Sequence, residues 1–395
     1  MKTSHVARAL VCVLVLAVPS VGLSDSVKSY LSGYADSEAS YIVTGILKAD
    51  GEFADHYRAG AQFLVDGISA ASTKAETDGS TGATSRREDS MGYVGGFSAG
   101  NERTDLFSKT PNFDSRRVEL SAYAGADIKE SSVTAGVIVS DEPLYKSQTV
   151  YATFLQYFAL RNTTLSATYF HNFDRIDTDD EQVTERYDYP KRKNVDGYIL
   201  SLTQILSRRT IGQLTATYSD YTGALADPIR EVRQHQSGGD VVAIPERLPN
   251  RRMRYAGSAR IIQYLWPGSS LHAGYRYYQD DWDIRSSTYE GEWFQYLGRH
   301  VLFGFHGRYY TQTASDMLAF DVTPEDDLYS ASPVMEEFQS QLVGGRLQFF
   351  DRQTLAPNFL LSGGFKLDYY TQSDREGVPD GFEAVLGSAN ILAEF

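Results

Sequence analysis

The stretch SLHAGYRYYQDDWD, from Ser270 to Asp283, decides how the chain folds. Leu271, Ala273, Tyr275 and Tyr277 fall on one face of an extended chain, while the positions between them are mostly polar. A period of two residues indicates a β-strand with one apolar and one polar face. The stretch is also much longer than the roughly five to six residues of an average strand in a soluble sheet. It therefore predicts a strand that crosses a membrane.

The same alternation recurs along the rest of the chain, for example in residues 301–313 and 358–371. The predicted fold is all-β: a transmembrane antiparallel β-barrel of about sixteen strands, with fourteen to eighteen allowed, over residues 39–395. The predicted strands are 39–48, 56–68, 90–101, 116–128, 132–141, 148–160, 163–174, 194–206, 209–221, 252–265, 270–283, 288–298, 301–315, 338–350, 358–372 and 384–395.

The composition excludes several other classes of protein. The chain has 395 residues, of which 13% are aromatic and 42% hydrophobic, and a formal net charge of −14. It is too aromatic for a disordered chain and lacks the repeated apolar runs of about 20 residues that a helical membrane protein needs. Its acidic balance argues against nucleic acid as the main partner.

The N-terminus has the pattern of a secretory signal peptide. Basic residues precede a short apolar run at 9–18, which a proline and small residues end. We expect a signal peptide at 1–22, cleaved after Gly22 or Ser24, and a periplasmic N-terminal segment at 23–38. The only cysteine lies inside the apolar run, so the mature chain is expected to contain neither a disulfide nor a thiolate metal site.

Connection lengths predict which side of the membrane each rim faces. Barrels of this type have short periplasmic turns and longer outer loops. Counting back from a C-terminus at the periplasmic rim also leaves the N-terminus in the periplasm. It assigns the Gly/Ser/Thr-rich segment 69–89 to the periplasm as well, although that segment is long. The long outer loops are expected near 175–193, 222–251, 316–337 and 373–383.

The residues at the end of the sequence predict a location in the outer membrane of a Gram-negative bacterium. Ile391, Ala393 and Phe395 alternate toward a terminal aromatic residue. This pattern resembles the C-terminal assembly signal of bacterial outer-membrane barrels. The expected partners are therefore the barrel assembly machinery, outer-membrane lipid and lipopolysaccharide.

Many charged residues fall on the polar faces of the predicted strands, which are expected to line the lumen. Two interpretations stay open: paired charges that fill and plug the lumen, or rings of charge that select solutes in an aqueous pore. A sixteen-stranded barrel is wide enough for a channel unless it is plugged. The predicted lumen charges are Arg254, Arg260, Arg276, Asp280, Glu290, Glu292, Arg308, Arg346, Lys366 and Asp368.

No catalytic or metal-binding constellation is found in the sequence. The acidic runs 177–181 and 325–327 lack the spaced ligands and central glycine of a calcium loop. The seven histidines show no clustered ligand spacing, and neither a nucleophile elbow nor a phosphate-binding loop occurs. The sequence therefore predicts a non-enzymatic pore, conduit or scaffold with no metal site.

One short motif indicates a different chemistry. Residues 78–84, DGSTGAT, have the form D-x-x-[ST]-G-A-T, which resembles the acceptor site of flavin transferase substrates. The resemblance implies FMN joined to Thr84 by a phosphoester, and a periplasmic redox component that passes electrons to a carrier. A chance match in a loop of small residues is the alternative. The recognition residues would be Asp78, Thr81, Gly82 and Ala83.

Four further motifs occur in a fixed order: DPIREV at 227–232, PERLPNRRMRY at 245–255, GYRYYQDDW at 274–282 and RYYTQ at 308–312. On these motifs, the chain from about residue 66 to its C-terminus resembles an uncharacterised exported family, domain of unknown function 3570. The resemblance implies an outer-membrane barrel, often encoded near flavin transferases, without a settled activity.

The second and third motifs bring basic and acidic residues to the predicted outer mouth. We expect the two groups to meet there, either as a clamp on the loop or as a constriction for anions. The basic residues are Arg247, Arg251, Arg252 and Arg254, and their candidate partners are Asp280, Asp281 and Asp283. Interfacial girdle or upper-rim packing is expected of Tyr275, Tyr277, Trp282, Tyr289 and Trp293.

Overall fold

The computed structural model describes residues 26–36, 40–54, 56–70, 113–142, 145–176, 192–227, 231–239, 241–352, 360–373 and 382–394. Within these ranges the only helix is the 3-10 turn Pro333–Met335, and no helix is long and apolar enough to cross a membrane. The strands are β1 (Ser26–Asp36), β2 (Ser40–Phe53), β3 (Tyr57–Ala70), β4 (Phe113–Ile128), β5 (Ser131–Glu142), β6 (Tyr145–Phe158), β7 (Thr163–Ile176), β8 (Arg192–Ser207), β9 (Thr210–Gly223), β10 (Glu231–His235), β11 (Val241–Pro245), β12 (Arg251–Tyr264), β13 (Ser269–Asp280), β14 (Arg285–Leu297), β15 (Val301–Gln312), β16 (Asp321–Val322), β17 (Phe338–Arg352), β18 (Leu360–Gln372) and β19 (Phe382–Glu394).

Sixteen of the described strands form one closed antiparallel barrel. Successive barrel strands pair with each other, with β9 followed by β12 and β15 by β17, and β1 closes the barrel against β19. Ser26 pairs with Glu394, so the barrel begins and ends at the same rim. We call this the terminal rim, and the opposite end of the barrel the loop rim.

The outer face of the barrel is apolar because each strand alternates. On β5, for example, Val133, Val137 and Val139 point outward and are exposed, whereas Ser132 and Ser140 point inward and are buried. In the middle of the described barrel strands, no outward position holds Asp, Glu, Lys or Arg. An uncharged belt of exposed aliphatic side chains is unfavourable in water and typical of a surface in contact with lipid.

Aromatic side chains border this belt at both rims. On β14 the exposed outward residues Tyr289 and Leu297 lie eight residues apart, which corresponds to about 21 Å along the barrel axis for a strand tilted by about 40°. That height matches the apolar band of a transmembrane barrel. Toward the loop rim the exposed aromatic residues include Tyr169, Tyr198, Tyr275, Tyr277 and Tyr289, and toward the terminal rim Phe53, Tyr57, Phe158, Trp266 and Phe349.

Fifteen of the sixteen predicted strands coincide with strands of the barrel, which confirms the predicted fold class. The strand Ser26–Asp36 lies within residues 23–38, which were predicted as a periplasmic segment before the barrel, and it was missed because its short SVKSYLSGYAD run alternates only weakly. The predicted strand 90–101 lies outside the described residues. Its expected neighbours in the barrel wall, β3 and β4, pair directly with each other.

These two differences correct the side assigned to residues 69–89. Ala70 pairs with Phe113 at the loop rim, so the connection between β3 and β4 leaves from the rim opposite the termini. The prediction that this segment and the N-terminus share one side of the membrane is therefore wrong. The sixteen described barrel strands include Ser26–Asp36, and β3 is followed by β4. Counting 90–101 between β3 and β4 had assigned this connection to the other rim.

The connections at the loop rim carry a small structure of their own. Strands β10, β11 and β16 form a separate three-stranded sheet. Its core contains Val232, Val322, Tyr329 and Ala331. Arg233 donates a hydrogen bond to Asp321 at 2.6 Å. Burial acts to raise the pKa of Asp321, but its contacts with His235 and Arg233 hold that pKa below its usual range.

The lumen is filled toward the loop rim and accessible toward the terminal rim. Near the loop rim, inner positions are buried on strands all around the barrel, among them Asp66, Arg117, Asp174, Val195, Arg252, Gln312, Phe338 and Gln372. Part of this cover is the segment 333–336, because Gln312 donates hydrogen bonds to the carbonyl groups of Val334 and Glu336. Nearer the terminal rim, Arg260, Arg346 and Lys366 keep between 33% and 46% of their side-chain surface exposed.

Candidate functional site

The inner face of six consecutive barrel strands carries an excess of positive charge. Among the side chains that the structure describes, the inner positions of β12–β15, β17 and β18 hold seven Arg or Lys and four Asp or Glu, a net charge of +3. We call this surface the basic wall. Its cations are Arg252, Arg254, Arg260, Arg276, Arg308, Arg346 and Lys366, and its anions are Asp280, Glu290, Glu292 and Asp368.

Two arginines share one carboxylate at the centre of the basic wall. Arg260 on β12 donates to Glu292 on β14 at 2.9 Å, and Arg346 on β17 approaches the other oxygen of Glu292 at 3.8 Å. His272 lies 3.6 Å from the same carboxylate. Because these partners come from four strands, only a closed barrel with this register brings them together. One negative charge between two guanidinium groups leaves a local positive excess.

A second group lies beside the first. Asp368 contacts Lys366 at 2.6 Å and His306 at 2.8 Å. The contact with His306 crosses β17 at Gly344, where an added Cβ would stand 1.9 Å from the Asp368 carboxylate. Only glycine leaves room for this side chain. Lys366 and Asp368 balance each other's charge, so this second group adds no net positive charge.

Arg276 is the most available cation of the basic wall. Its side chain is exposed on the inner face and lies 5.5 Å from the ring of Tyr278. No Asp or Glu of the described chain forms a salt bridge with it. Arg308 lies directly opposite Glu290 in the register of β14 and β15. A solute in the lumen therefore meets at least one guanidinium group without a competing carboxylate.

The opposite wall is close to neutral. The described inner side chains of β1–β9 include five cations and seven anions, and most of these charges are paired locally. Arg58 contacts Asp127 at 2.7 Å, Lys48 contacts Asp50 at 3.1 Å, and Lys193 contacts Asp174 at 3.3 Å. The lumen is therefore electrostatically asymmetric, with the positive excess on β12–β18.

At the loop rim a buried ion pair fixes the chain around the mouth. Arg252 donates through Nε to Asp280 at 2.9 Å, and the Asp280 side chain is fully buried. Asp280 also accepts from the Tyr278 hydroxyl at 2.6 Å and from the backbone amides of Trp282 and Ile284 at 3.0 and 3.1 Å. The Arg252 guanidinium lies 4.2 Å from the Trp282 ring. We call these residues the mouth clamp.

The expected meeting of basic and acidic residues at the mouth is thus confirmed for Arg252 and Asp280. Arg251 instead points outward and forms two hydrogen bonds with Asp220, at 2.9 and 2.8 Å. Arg254 points inward and lies 4.4 Å from the ring of Tyr221. The alternation of the sequence predicts which face each residue is on, but not its partner. The partners follow from the register with which β12 pairs with β9 and β13.

The other candidate residues fall in different places. Every predicted lumen charge lies on the inner face. Ile391 and Ala393 point outward on β19, whereas Phe395 and the motif residues 78–84 lie outside the described residues. His272 and His306 were not singled out as site residues, although both share the inner parity of their strands. Within the described chain, no group of three His, Cys, Asp or Glu is placed to hold a metal ion.

Together, the closed register, the uncharged outer belt and the polar inner face define a transmembrane-type β-barrel with a charged lumen. The chain belongs to the family DUF3570, described as a protein of unknown function, which matches residues 19–377. No curated protein matches the chain.

Solved structures with a similar architecture include the bacterial polysaccharide outer membrane secretin, at 8% identity and a TM-score of 0.48, covering 94% of this chain and 99% of that chain. OccK8 (OprE) from Pseudomonas aeruginosa is 10% identical with a TM-score of 0.44 and covers 94% and 98%. A BenF-like porin from Pseudomonas fluorescens Pf-5 is 6% identical with a TM-score of 0.44 and covers 95% and 99%.

Proposed function

We propose that the protein is an outer-membrane pore that conducts anionic solutes and is gated at its loop rim. The observation that carries this proposal is the basic wall, which gives one side of the lumen a net charge of +3 in a chain whose formal net charge is −14. A cationic lining raises the local concentration of anions and lowers that of cations. A barrel that served only as a scaffold has no need for such an excess.

The buried inner positions near the loop rim support a gate rather than a permanently open channel. The mouth clamp and the segment 333–336 are held by hydrogen bonds and by an apolar cluster that includes Trp282, Ile284 and Met335. Such a cover opens when a few contacts are broken, whereas the continuous ladders of the barrel wall do not. Solutes would therefore meet an accessible basic vestibule on one side and a movable barrier on the other.

Conductance in planar bilayers tests this function. In a KCl gradient we expect channel events whose reversal potential reports a higher permeability for chloride than for potassium. Loosening the mouth with Asp280→Ala is expected to increase open probability. A barrel that inserts but never conducts, in wild type and in this variant, would contradict the pore and favour a plugged structural barrel. Preference for potassium would contradict the anionic cargo.

The proposed orientation places the loop rim outside the cell and the terminal rim in the periplasm, as short periplasmic turns and longer outer loops favour. The mature chain is expected to lack cysteine, so a single introduced thiol reports its own side. In intact cells, a membrane-impermeant maleimide is expected to label Ser237→Cys, in an exposed turn of the loop-rim sheet, but not Arg208→Cys at the terminal rim. Labelling of Arg208→Cys but not of Ser237→Cys would show that the barrel has the opposite orientation.

Covalent FMN on Thr84 remains an alternative that rests on the sequence motif. The predicted periplasmic position of the motif no longer supports this alternative, since the connection that contains Thr84 leaves the barrel wall at the loop rim. In the proposed orientation a transferase in the periplasm would have to act before the barrel folds. We therefore expect the intact mass of the mature protein from native membranes to equal that of the chain cut after Gly22 or Ser24. An excess of one FMN, absent in Thr84→Ala, would replace the pore with a redox function.

A further inference from the structure

The outer face of the barrel carries a row of basic side chains at the loop rim. Lys146, Arg175 and Arg192 all point outward and are exposed. Lys146 pairs with Arg175, and Arg175 with Arg192, in the register of β6, β7 and β8. Like charges directly opposite each other on neighbouring strands repel. Neither Arg175 nor Arg192 forms a salt bridge with the described chain, so an external anion would relieve this repulsion.

Directly below this row lies a continuous band of tyrosines. The rings of Tyr169, Tyr198, Tyr218 and Tyr255 follow one another across β7, β8, β9 and β12, with centroids 5.2, 6.2 and 5.1 Å apart. Tyrosine is enriched where a membrane protein passes from hydrocarbon to headgroups. Arg192 is six residues from Tyr198 on β8, or about 15 Å further along the barrel axis. The cations therefore lie at the level of the lipid headgroups.

Beneath the tyrosines, the same strands form a groove that opens toward lipid. Its volume is about 560 Å³, and Ala167, Leu200, Ala216 and Gly257 contribute to its lining. Small residues on β7, β9 and β12 create the depression between larger neighbours. In a bilayer a groove of this kind excludes water and takes an acyl chain. The basic row and the groove are independent features that occupy one sector of the barrel surface.

We propose that this sector binds one molecule of lipopolysaccharide. Arg175 and Arg192 hold its phosphate groups, since guanidinium groups bind phosphate with two parallel hydrogen bonds. The tyrosine band packs against the headgroup boundary, and the groove holds one acyl chain. Two adjacent guanidinium groups fit a lipid that carries two phosphates, in the leaflet that the loop rim would face. The choice of this lipid rests on the orientation proposed above.

Binding of purified diphosphorylated lipid A to the folded barrel in detergent, followed by native mass spectrometry, tests the phosphate site. Arg175→Glu with Arg192→Glu is expected to weaken binding by about tenfold or more, as the loss of charge-assisted hydrogen bonds implies. The matched control is Arg116→Glu with Arg285→Glu, which makes the same charge change at exposed outward positions of β4 and β14. It is expected to bind normally.

The groove has its own matched pair. A Cβ at Gly257 or at Gly33 would meet no atom within 4 Å, so leucine fits at either position without a clash. Gly257→Leu fills the groove and is expected to weaken lipid A binding several-fold, while Gly33→Leu, on the outer face of β1, leaves it unchanged.

Three results would overturn the lipid site: binding unchanged in the double glutamate variant, equal loss in its control, or equal competition by phosphatidylglycerol. Full competition by inorganic phosphate would reduce the site to a general anion site. None of these results depends on conductance, and the orientation is measured separately by thiol labelling. Failure of the lipid site is therefore distinguishable from failure of the pore.

Discussion

Asp280→Ala is expected to destabilise the loop-rim end of the barrel by about 3–5 kcal/mol, the usual consequence of removing one partner from a buried ion pair. The Arg252 side chain is only 9% exposed and the Asp280 side chain not at all. Without the carboxylate, a guanidinium group stays buried without a counter-charge. The amides of Trp282 and Ile284 and the hydroxyl of Tyr278 lose their acceptor as well. The measurement is the urea midpoint of the barrel in lipid vesicles, followed by tryptophan fluorescence.

Two controls separate the ion pair from a general effect of charge. Arg251→Ala removes the neighbouring arginine, whose pair with Asp220 is exposed on the outer face, and is expected to leave the midpoint nearly unchanged. Asp280→Leu combined with Arg252→Leu removes both charges and is expected to recover the part of the lost stability that comes from the unpaired guanidinium group, because well-packed apolar residues often replace a buried ion pair without cost. The amides of Trp282 and Ile284 still lack their acceptor in this variant, so full recovery is not expected. If Asp280→Ala unfolds at the wild-type midpoint, the clamp contributes nothing to stability.

Most of the fold was readable from the sequence because a membrane barrel must alternate everywhere. Each strand has to present apolar residues to lipid and polar residues to the lumen, so Ser270–Asp283 reveals its faces without knowledge of its neighbours. Ser26–Asp36 escaped because its outward positions include Ser29, Gly33 and Ala35, which give a weak apolar signal. Its place next to β19 comes from ring closure, which alternation does not encode.

The residues of the basic wall could be predicted from the alternation along each strand, but the ion pairs between them could not. Strand alternation places Glu292 and Arg346 on the inner face, yet their approach depends on β15 lying between β14 and β17. The requirement for glycine at position 344 was also not predictable from the sequence. It arises because the Asp368 side chain passes over this position on the neighbouring strand. The loop-rim sheet was not predicted either, because its strands are five residues long or shorter.

Neutralising the basic wall is expected to remove the anion preference of the pore. Exchanging three arginines for glutamine lowers the charge of the wall from +3 to 0. A unit charge about 10 Å from a permeating ion contributes about 0.4 kcal/mol in water, and roughly a third of that at 0.1 M salt. The exchange makes the wall less favourable for chloride and more favourable for potassium by the same free energy. The ratio of chloride to potassium permeability should therefore fall by about fivefold at 0.1 M salt, and by more in dilute salt. The exchanged residues are Arg260, Arg276 and Arg346.

The size of this change separates a selective lumen from a plugged one. The matched control exchanges Arg116, Arg175 and Arg285 for glutamine, which lowers the net charge of the chain equally but on the outer face. If ions pass along the basic wall, only the inner variant shifts the reversal potential, and the shift grows as the salt concentration falls. Equal shifts in both variants would mean that the selectivity arises outside the lumen. No shift in either would mean that the ions pass where the wall does not act on them.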